Sequence, residues 1–197
     1  MELEYRSVKE LKLRSEIKEG TIGTLTGYAA VFNSESLDFG GWKEIIKPGA
    51  FTRSLKALPD VRAFYQHDTG GILGRRSAGT LRISEDERGL AIEIDLIDTQ
   101  LGRDTLLNVR ARNLDAMSFG MVPKKHAWDI NEKRGYDLRI LEDVDLHEVS
   151  VVTWPAYEDT TVATRDYTTF KGAQAPAKST TPFRLLRLRQ ARLNIQT

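Results

Sequence analysis

The sequence contains no cysteine, which excludes disulfide bonds, catalysis by a thiol and zinc bound through cysteine. Histidine is also scarce, with three residues and no pair at helical spacing, so we expect neither a metal site nor a cofactor. No run approaches the ~18 apolar residues that span a bilayer, and the N-terminus has neither the basic start nor the apolar core of a signal peptide. We therefore predict a cytoplasmic protein with no membrane partner.

Composition and charge divide the chain into a body and a tail. Apolar residues make up 40% and charged residues 29% of the 197, as in soluble globular domains. The net charge of +1 conceals an asymmetry, because residues 171–197 carry six basic side chains and no acid, which leaves residues 1–170 with a net charge of −5. We predict one domain over residues 1–165, followed over residues 166–197 by a flexible linker and a basic, disordered tail that meets an anionic partner.

Alternating apolar residues dominate the body and predict many short strands. The clearest candidates are residues 11–17, 24–32, 61–67, 79–83, 90–96, 117–122, 128–130, 136–141 and 146–153. Only two internal helices are predicted. One opens at Pro48, and the other follows a cap at Asp98 or Thr99 and carries Leu107 on its apolar stripe. Because no alternating βα rhythm is present, we predict an α+β, mainly β fold, an antiparallel β-barrel with peripheral helices.

One of these strands, residues 117–122, carries a hydroxyl in its middle. Strand alternation places Ser118 and Gly120 on one face and the large apolar residues on the other. The glycine leaves room for a ligand or another backbone to approach that face. Two interpretations remain open at this point: a strand serine that bonds to a nearby carbonyl, or a nucleophile that needs a base from elsewhere in the chain.

Three histidines are candidates for that base. His67 ends a predicted strand and precedes a predicted turn over residues 68–71, where a side chain can reach into a cleft, although such a position also suits a surface histidine. His126 lies in a basic, solvated stretch and is a weak candidate. The third, His147, stands beside an acid in the last predicted strand.

That acid, Glu148, shares its predicted face with Leu146 and Ser150, whereas His147 shares the opposite face with valines. A carboxylate at the start of a valine-rich strand needs either solvent or a cation such as an imidazolium. Periodicity does not choose between His147 and Glu148 as the partner of a catalytic base.

Several short motifs, each weak alone, together carry a resemblance. They are residues 46–51 (IKPGAF), 65–68 (YQHD), 73–74 (LG), 79–81 (GTL), 86–90 (DERGL), 116–120 (AMSFG) and 146–156 (LHEVSVVTWPA). In this order and spacing the chain resembles the prohead maturation proteases of tailed phages, over about residues 10–165. The fold of that family in turn resembles the herpesvirus assemblins.

The resemblance implies a serine endopeptidase with Ser118 as nucleophile, His67 as general base and Glu148 as the acid that orients the histidine. Since assemblins use a second histidine as third member, His147 stays an alternative. The implied location is the host cytoplasm, inside the assembling procapsid. The implied partners and substrates are the major capsid protein, a scaffold protein and further copies of this chain, which would also cleave itself.

Two other functions stay open. A non-catalytic capsid assembly module with the same fold would use Ser118 and His67 structurally. Nucleic-acid binding through the basic residues 171–197 ranks behind it, because they include a single aromatic residue, Phe183, and the body is acidic.

Overall fold

The computed structural model describes residues 3–14, 19–57, 59–153 and 161–174. The side chains of residues 13–14, 161–166 and 174 are not part of this description. The chain divides into two compact units, residues 1–164 and residues 165–197. No helix in the described part is long and apolar enough to cross a membrane.

The described residues form ten strands, three α-helices and one short 3₁₀ helix. The strands are β1 (Glu4–Val8), β2 (Leu11–Arg14), β3 (Thr21–Val31), β4 (Trp42–Ile46), β5 (Arg62–Tyr65), β6 (Asp68–Arg75), β7 (Leu81–Glu85), β8 (Gly89–Ile97), β9 (Ala116–Asp129) and β10 (Asp137–Val152). The helices are α1 (Thr52–Lys56), α2 (Gln100–Arg110), α3 (Thr161–Gln174) and the 3₁₀ helix Glu132–Arg134. The mainly β, α+β class is therefore confirmed.

The strands form two sheets. The first has six strands in the order β1-β9-β10-β5-β6, with β4 paired to another part of β10, and the second has the order β2-β3-β8-β7. Both β4 and β5 run parallel to β10, whereas the other pairings are antiparallel. The described strands thus make two separate sheets, one of them mixed, and the predicted closed antiparallel barrel is not confirmed.

The hydrophobic core combines apolar residues of both sheets in one cluster. From the four-stranded sheet come residues such as Leu25 and Ile92, and from the six-stranded sheet Phe119 and Val149, all buried. Burying such side chains supplies roughly 1.5–3 kcal/mol each, which holds the two sheets together. The opposite face of β9 and β10 carries Ser118, Gly120, Glu148 and Ser150.

Local sequence explains the helices only in part. Thr99 caps α2 as predicted, since its hydroxyl accepts a hydrogen bond from the backbone N–H of Gly102 at 3.0 Å. The predicted place of Leu107 on the apolar stripe is wrong, because Leu107 is 59% exposed and the helix instead buries Leu106 and Val109. These two positions, three apart, belong to the face that meets the core.

The two ends of the chain depart from the predictions. Strand β1 has no predicted counterpart, because Glu4 and Arg6 are charged and yet only 2% and 7% exposed. Residues 15–17 of the first predicted strand lie outside the described residues. Helix α3 makes residues 166–174 helical where a linker is predicted, and the rest of the predicted tail, residues 175–197, also lies outside the described part.

Candidate active site

His67 lies in a tight turn between β5 and β6. Tyr65 pairs with Asp68, so the connecting loop consists of Gln66 and His67 alone, with φ angles of 56° and 60°. Two successive positive φ values define the type I′ turn, whose twist matches that of a hairpin. The predicted turn at residues 68–71 is therefore wrong, because β6 already begins at Asp68.

Two hydrogen bonds attach this turn to β10. The backbone N–H of Gln66 donates to the carbonyl of Val151 at 2.9 Å, and the Gln66 side-chain amide donates to the Thr153 hydroxyl at 3.1 Å. The turn is thereby fixed to the strand that carries Glu148. The unusual backbone conformation of His67 is maintained by the surrounding structure, as expected for a side chain that must point in one direction.

The imidazole of His67 bonds to Glu148. Its Nδ1 lies 2.6 Å from Oε1 of Glu148, and both side chains are largely buried. Because a carboxylate oxygen accepts, Nδ1–H is the donor, which leaves Nε2 with a free lone pair. Among the described residues, Nε2 of His67 has no hydrogen-bond partner although it is buried.

A bulge in β10 determines which way Glu148 points. The register between β9 and β10 shifts between Leu146 and Glu148, so Leu146 pairs with Met121 and joins the core, whereas Glu148 pairs with Gly120. The predicted common face of Leu146 and Glu148 is therefore wrong. His147, at the bulge, is exposed, and it is Glu148 that contacts His67.

Ser118 lies on the same face as Glu148, two positions from Gly120 along β9. That spacing corresponds to about 7 Å between Cα atoms. Ser118 has no exposed surface, and its hydroxyl donates to the backbone carbonyl of Arg6 on β1 at 3.0 Å. The structure thus brings His67 and Glu148 into contact and sets Ser118 beside them, with its hydroxyl turned toward β1.

Gly120 provides the space in which this arrangement fits. A Cβ atom at this position would lie 3.0 Å from Oε1 of Glu148 and 3.0 Å from Cε1 of Tyr5. The space predicted beside Gly120 for a ligand or another backbone is therefore occupied by the side chains of Glu148 and Tyr5. The Tyr5 ring also packs on the imidazole of His67, with 4.3 Å between ring centroids.

Two residues of the site, Tyr5 and Ser150, are not predicted by the sequence. Tyr5 lies on the unpredicted strand β1, so no signal in the sequence associates it with His67. Ser150 donates its hydroxyl hydrogen to Oε2 of Glu148 at 2.7 Å, and it pairs with Ser118 across the strands. A signal for Ser150 did exist, because residues two apart on a strand share a face.

A second buried charged cluster lies elsewhere in the six-stranded sheet. It consists of two acids, Glu4 and Glu44, and two arginines, Arg6 and Arg139, none more than 7% exposed. Arg6 contacts Glu44 and Glu4 at 2.6 Å, and Arg139 contacts Glu4 at 2.8 Å and Glu44 at 3.2 Å. Burial lowers the pKa of Arg6, but Glu44 and Glu4 outweigh it and raise that pKa above its ordinary value.

The other titratable candidates lie outside this arrangement. His126 is far along β9, where it pairs with Leu141 in the register and lies near Trp128. In the described part of the chain, no group of three or more histidine, aspartate or glutamate side chains is arranged to hold a metal ion.

Comparisons with known proteins point to one family. The sequence model of the caudovirus prohead serine protease family matches residues 9–173. A solved structure, the capsid assembly protease of bacteriophage T4, aligns with a TM-score of 0.41 and 13% identity over 77% of this chain and 99% of the other. No curated protein matches the chain significantly. Since the family match spans most of the sequence, the chain belongs to the caudovirus prohead serine protease family, whose members are serine proteases of capsid maturation.

Proposed function

We propose that the chain is an active serine endopeptidase in which Ser118, His67 and Glu148 form the catalytic triad. The observation that carries this proposal is the 2.6 Å contact between Nδ1 of His67 and Glu148, on the strand face that also holds Ser118. A carboxylate bonded to Nδ1 fixes the tautomer in which Nε2 can accept a proton from a serine hydroxyl. Glu148 rather than His147 is the third member, because His147 is exposed.

Catalysis in this proposal begins with a rotation of one side chain. The Ser118 hydroxyl leaves the carbonyl of Arg6 and turns toward Nε2 of His67, which has no other hydrogen-bond partner among the described residues. Catalytic hydrogen bonds commonly form only when substrate is bound. A buried Nε2 atom without a hydrogen-bond partner costs free energy, so a hydrogen bond from the Ser118 hydroxyl to this atom would be favourable.

The reaction then follows acyl transfer. Ser118 Oγ attacks the peptide carbonyl while Nε2 of His67 takes its proton, and His67 returns that proton to the leaving amine. Glu148 stabilises the imidazolium in both steps. Water, deprotonated by His67, hydrolyses the acyl-enzyme and restores Ser118.

The proposed substrates are the scaffolding segment of the major capsid protein or a separate scaffold protein inside the procapsid, together with the protease itself. The family assignment supports a role in capsid maturation. By the same proposal, the basic residues 171–197 dock the chain to the assembling shell and are removed by self-cleavage.

A test co-expresses the major capsid protein of the same phage with the wild-type, Ser118→Ala or Ser54→Ala chain and measures the masses of both proteins. Ser54 is a matched control, because it is a buried serine on α1 whose oxygen accepts from the N–H of Leu146. We expect truncated capsid protein with the wild type and Ser54→Ala, and full-length protein with Ser118→Ala. Truncation by Ser118→Ala, or none by the wild type, would contradict the proposal.

One observation favours a second function, a non-catalytic assembly module. Ser118 is fully buried and bonded to a backbone carbonyl, as a structural serine would be. That function predicts full-length capsid protein in all three samples, and procapsids that form only when the chain is present.

A further inference from the structure

We propose that Ser150 is a positioning residue of the catalytic apparatus, holding the carboxylate of Glu148 in the orientation that His67 requires. The inference rests on the proposed triad. It adds a residue that does not touch substrate and acts only through Glu148.

The geometry assigns one partner to each carboxylate oxygen of Glu148. His67 Nδ1 lies 2.6 Å from Oε1, and the Ser150 hydroxyl donates to Oε2 at 2.7 Å. Two bonds at two oxygens fix the rotation of the carboxylate plane, which is otherwise a soft torsion in glutamate. Both Glu148 and Ser150 are buried, so water does not replace the hydroxyl.

The environment of Ser150 explains why a hydroxyl, rather than a cation, serves here. No lysine or arginine among the described residues pairs with Glu148, whereas Glu4 and Glu44 in the same sheet are bound by arginines. A guanidinium would neutralise the carboxylate and weaken its attraction for an imidazolium. A hydroxyl fixes the orientation and leaves the negative charge available to His67.

Ser150 also differs from a buried serine whose hydroxyl bonds only to a backbone carbonyl. Ser118, its cross-strand neighbour, donates to a backbone carbonyl, which is the usual solution for a buried strand serine. Ser150 donates to the charged group of the triad, two positions along the same strand face. Removing the Ser150 hydroxyl should therefore change the orientation of the Glu148 carboxylate more than the stability of the fold.

The four-stranded sheet offers a matched control. The Thr24 hydroxyl donates to Oδ1 of Asp95 at 2.7 Å, and both residues are buried. Thr24→Val and Ser150→Ala each remove one buried hydroxyl donor from a buried carboxylate. Only the second change touches the proposed triad.

The first measurement is the turnover of a peptide by the purified full chain. The peptide spans the cleavage site that the masses of the capsid-protein fragments identify. We expect Ser150→Ala to lower kcat by about 10-fold to 100-fold with KM unchanged, because misorienting a catalytic group slows the chemical step. Thr24→Val should keep the wild-type kcat per folded molecule. An unchanged kcat in Ser150→Ala, or a loss explained by the unfolded fraction, would overturn the inference.

The second measurement needs no activity and separates this inference from the proposed function. Proton NMR detects the Nδ1–H of His67 as a downfield resonance while that proton is bonded to a carboxylate. We expect this resonance to shift and broaden in Ser150→Ala and to stay in place in Thr24→Val and Ser118→Ala. A resonance unmoved in Ser150→Ala refutes the positioning role, whereas an inactive wild type with the expected shift refutes only the proposed activity.

Discussion

Two groups of buried carboxylates in the six-stranded sheet are held in different ways. Glu4 and Glu44 share two arginines, whereas Glu148 is held by His67 and the neutral hydroxyl of Ser150. A guanidinium is always charged, so the first group is permanently neutralised. The charge of Glu148 is matched only when the imidazole of His67 carries a proton.

The difference separates an arrangement that stabilises the fold from one suited to proton transfer. Arginine–carboxylate contacts lock β1, β4 and β10 together, because breaking a buried ion pair leaves an uncompensated charge. A histidine beside a carboxylate, with its second nitrogen free, can gain and release a proton during a reaction. Replacing a glutamate by glutamine should therefore reduce mainly activity at Glu148 and mainly stability at Glu44.

The largest expected effect is on activity, in Glu148→Gln. Replacing the carboxylate by an amide removes the charge that stabilises the imidazolium and favours the wrong tautomer of His67, so kcat should fall about 10³-fold to 10⁴-fold. Peptide turnover measures this loss, and thermal unfolding should show that the chain remains folded. Near-wild-type turnover in this variant would remove Glu148 from the triad.

The same substitution in the other cluster, Glu44→Gln, should reduce stability instead. Arg6 and Arg139 would keep two positive charges against Glu4 alone, at a cost of roughly 3–5 kcal/mol in the free energy of unfolding. Urea denaturation measures the loss. Molecules that remain folded should turn over peptide at the wild-type kcat, and a selective loss of kcat would contradict the comparison.

A partly exposed carboxylate, that of Asp60, should give the smallest effect. Its hydrogen bond from Arg75, together with Ser77, lowers the pKa of Asp60 below the ordinary value of 3.8. A lowered folded-state pKa contributes stability above the unfolded value and loses it as pH falls through the folded value. Solvent screens this contribution, so Asp60→Asn should have only a small effect at neutral pH.

The measurement for Asp60→Asn is the unfolding temperature against pH, with the wild type as reference. The small difference between the two proteins should shrink as the pH falls from about 4 towards about 2, because the carboxylate becomes protonated in the unfolded chain while the lowered pKa keeps it ionised in the folded chain. A difference that stays constant over this range would show that the Asp60 charge contributes nothing to stability.

Local patterns predicted most strands, but they failed where burial contradicts polarity. Alternation of apolar residues identified β3, β8 and the Ser118 segment of β9, although that segment of β9 is buried on both faces. Strand β1 escaped, because its buried positions hold Glu4 and Arg6, whose ionic partners lie on distant strands. The prediction that Leu107 belongs to the buried face of α2 failed, because packing against the core determines which face of the helix is buried.

For the candidate site, strand alternation alone places Ser118 and Gly120 on one strand face, and the sequence supplies His67 and Glu148 as candidate base and acid. Which of these side chains meet depends on the folded chain. The bulge between Leu146 and Glu148 turns the acid to the face of Ser118, and the type I′ turn directs His67 toward it. A one-residue register shift reverses which face a strand residue occupies, so no local period could choose between His147 and Glu148.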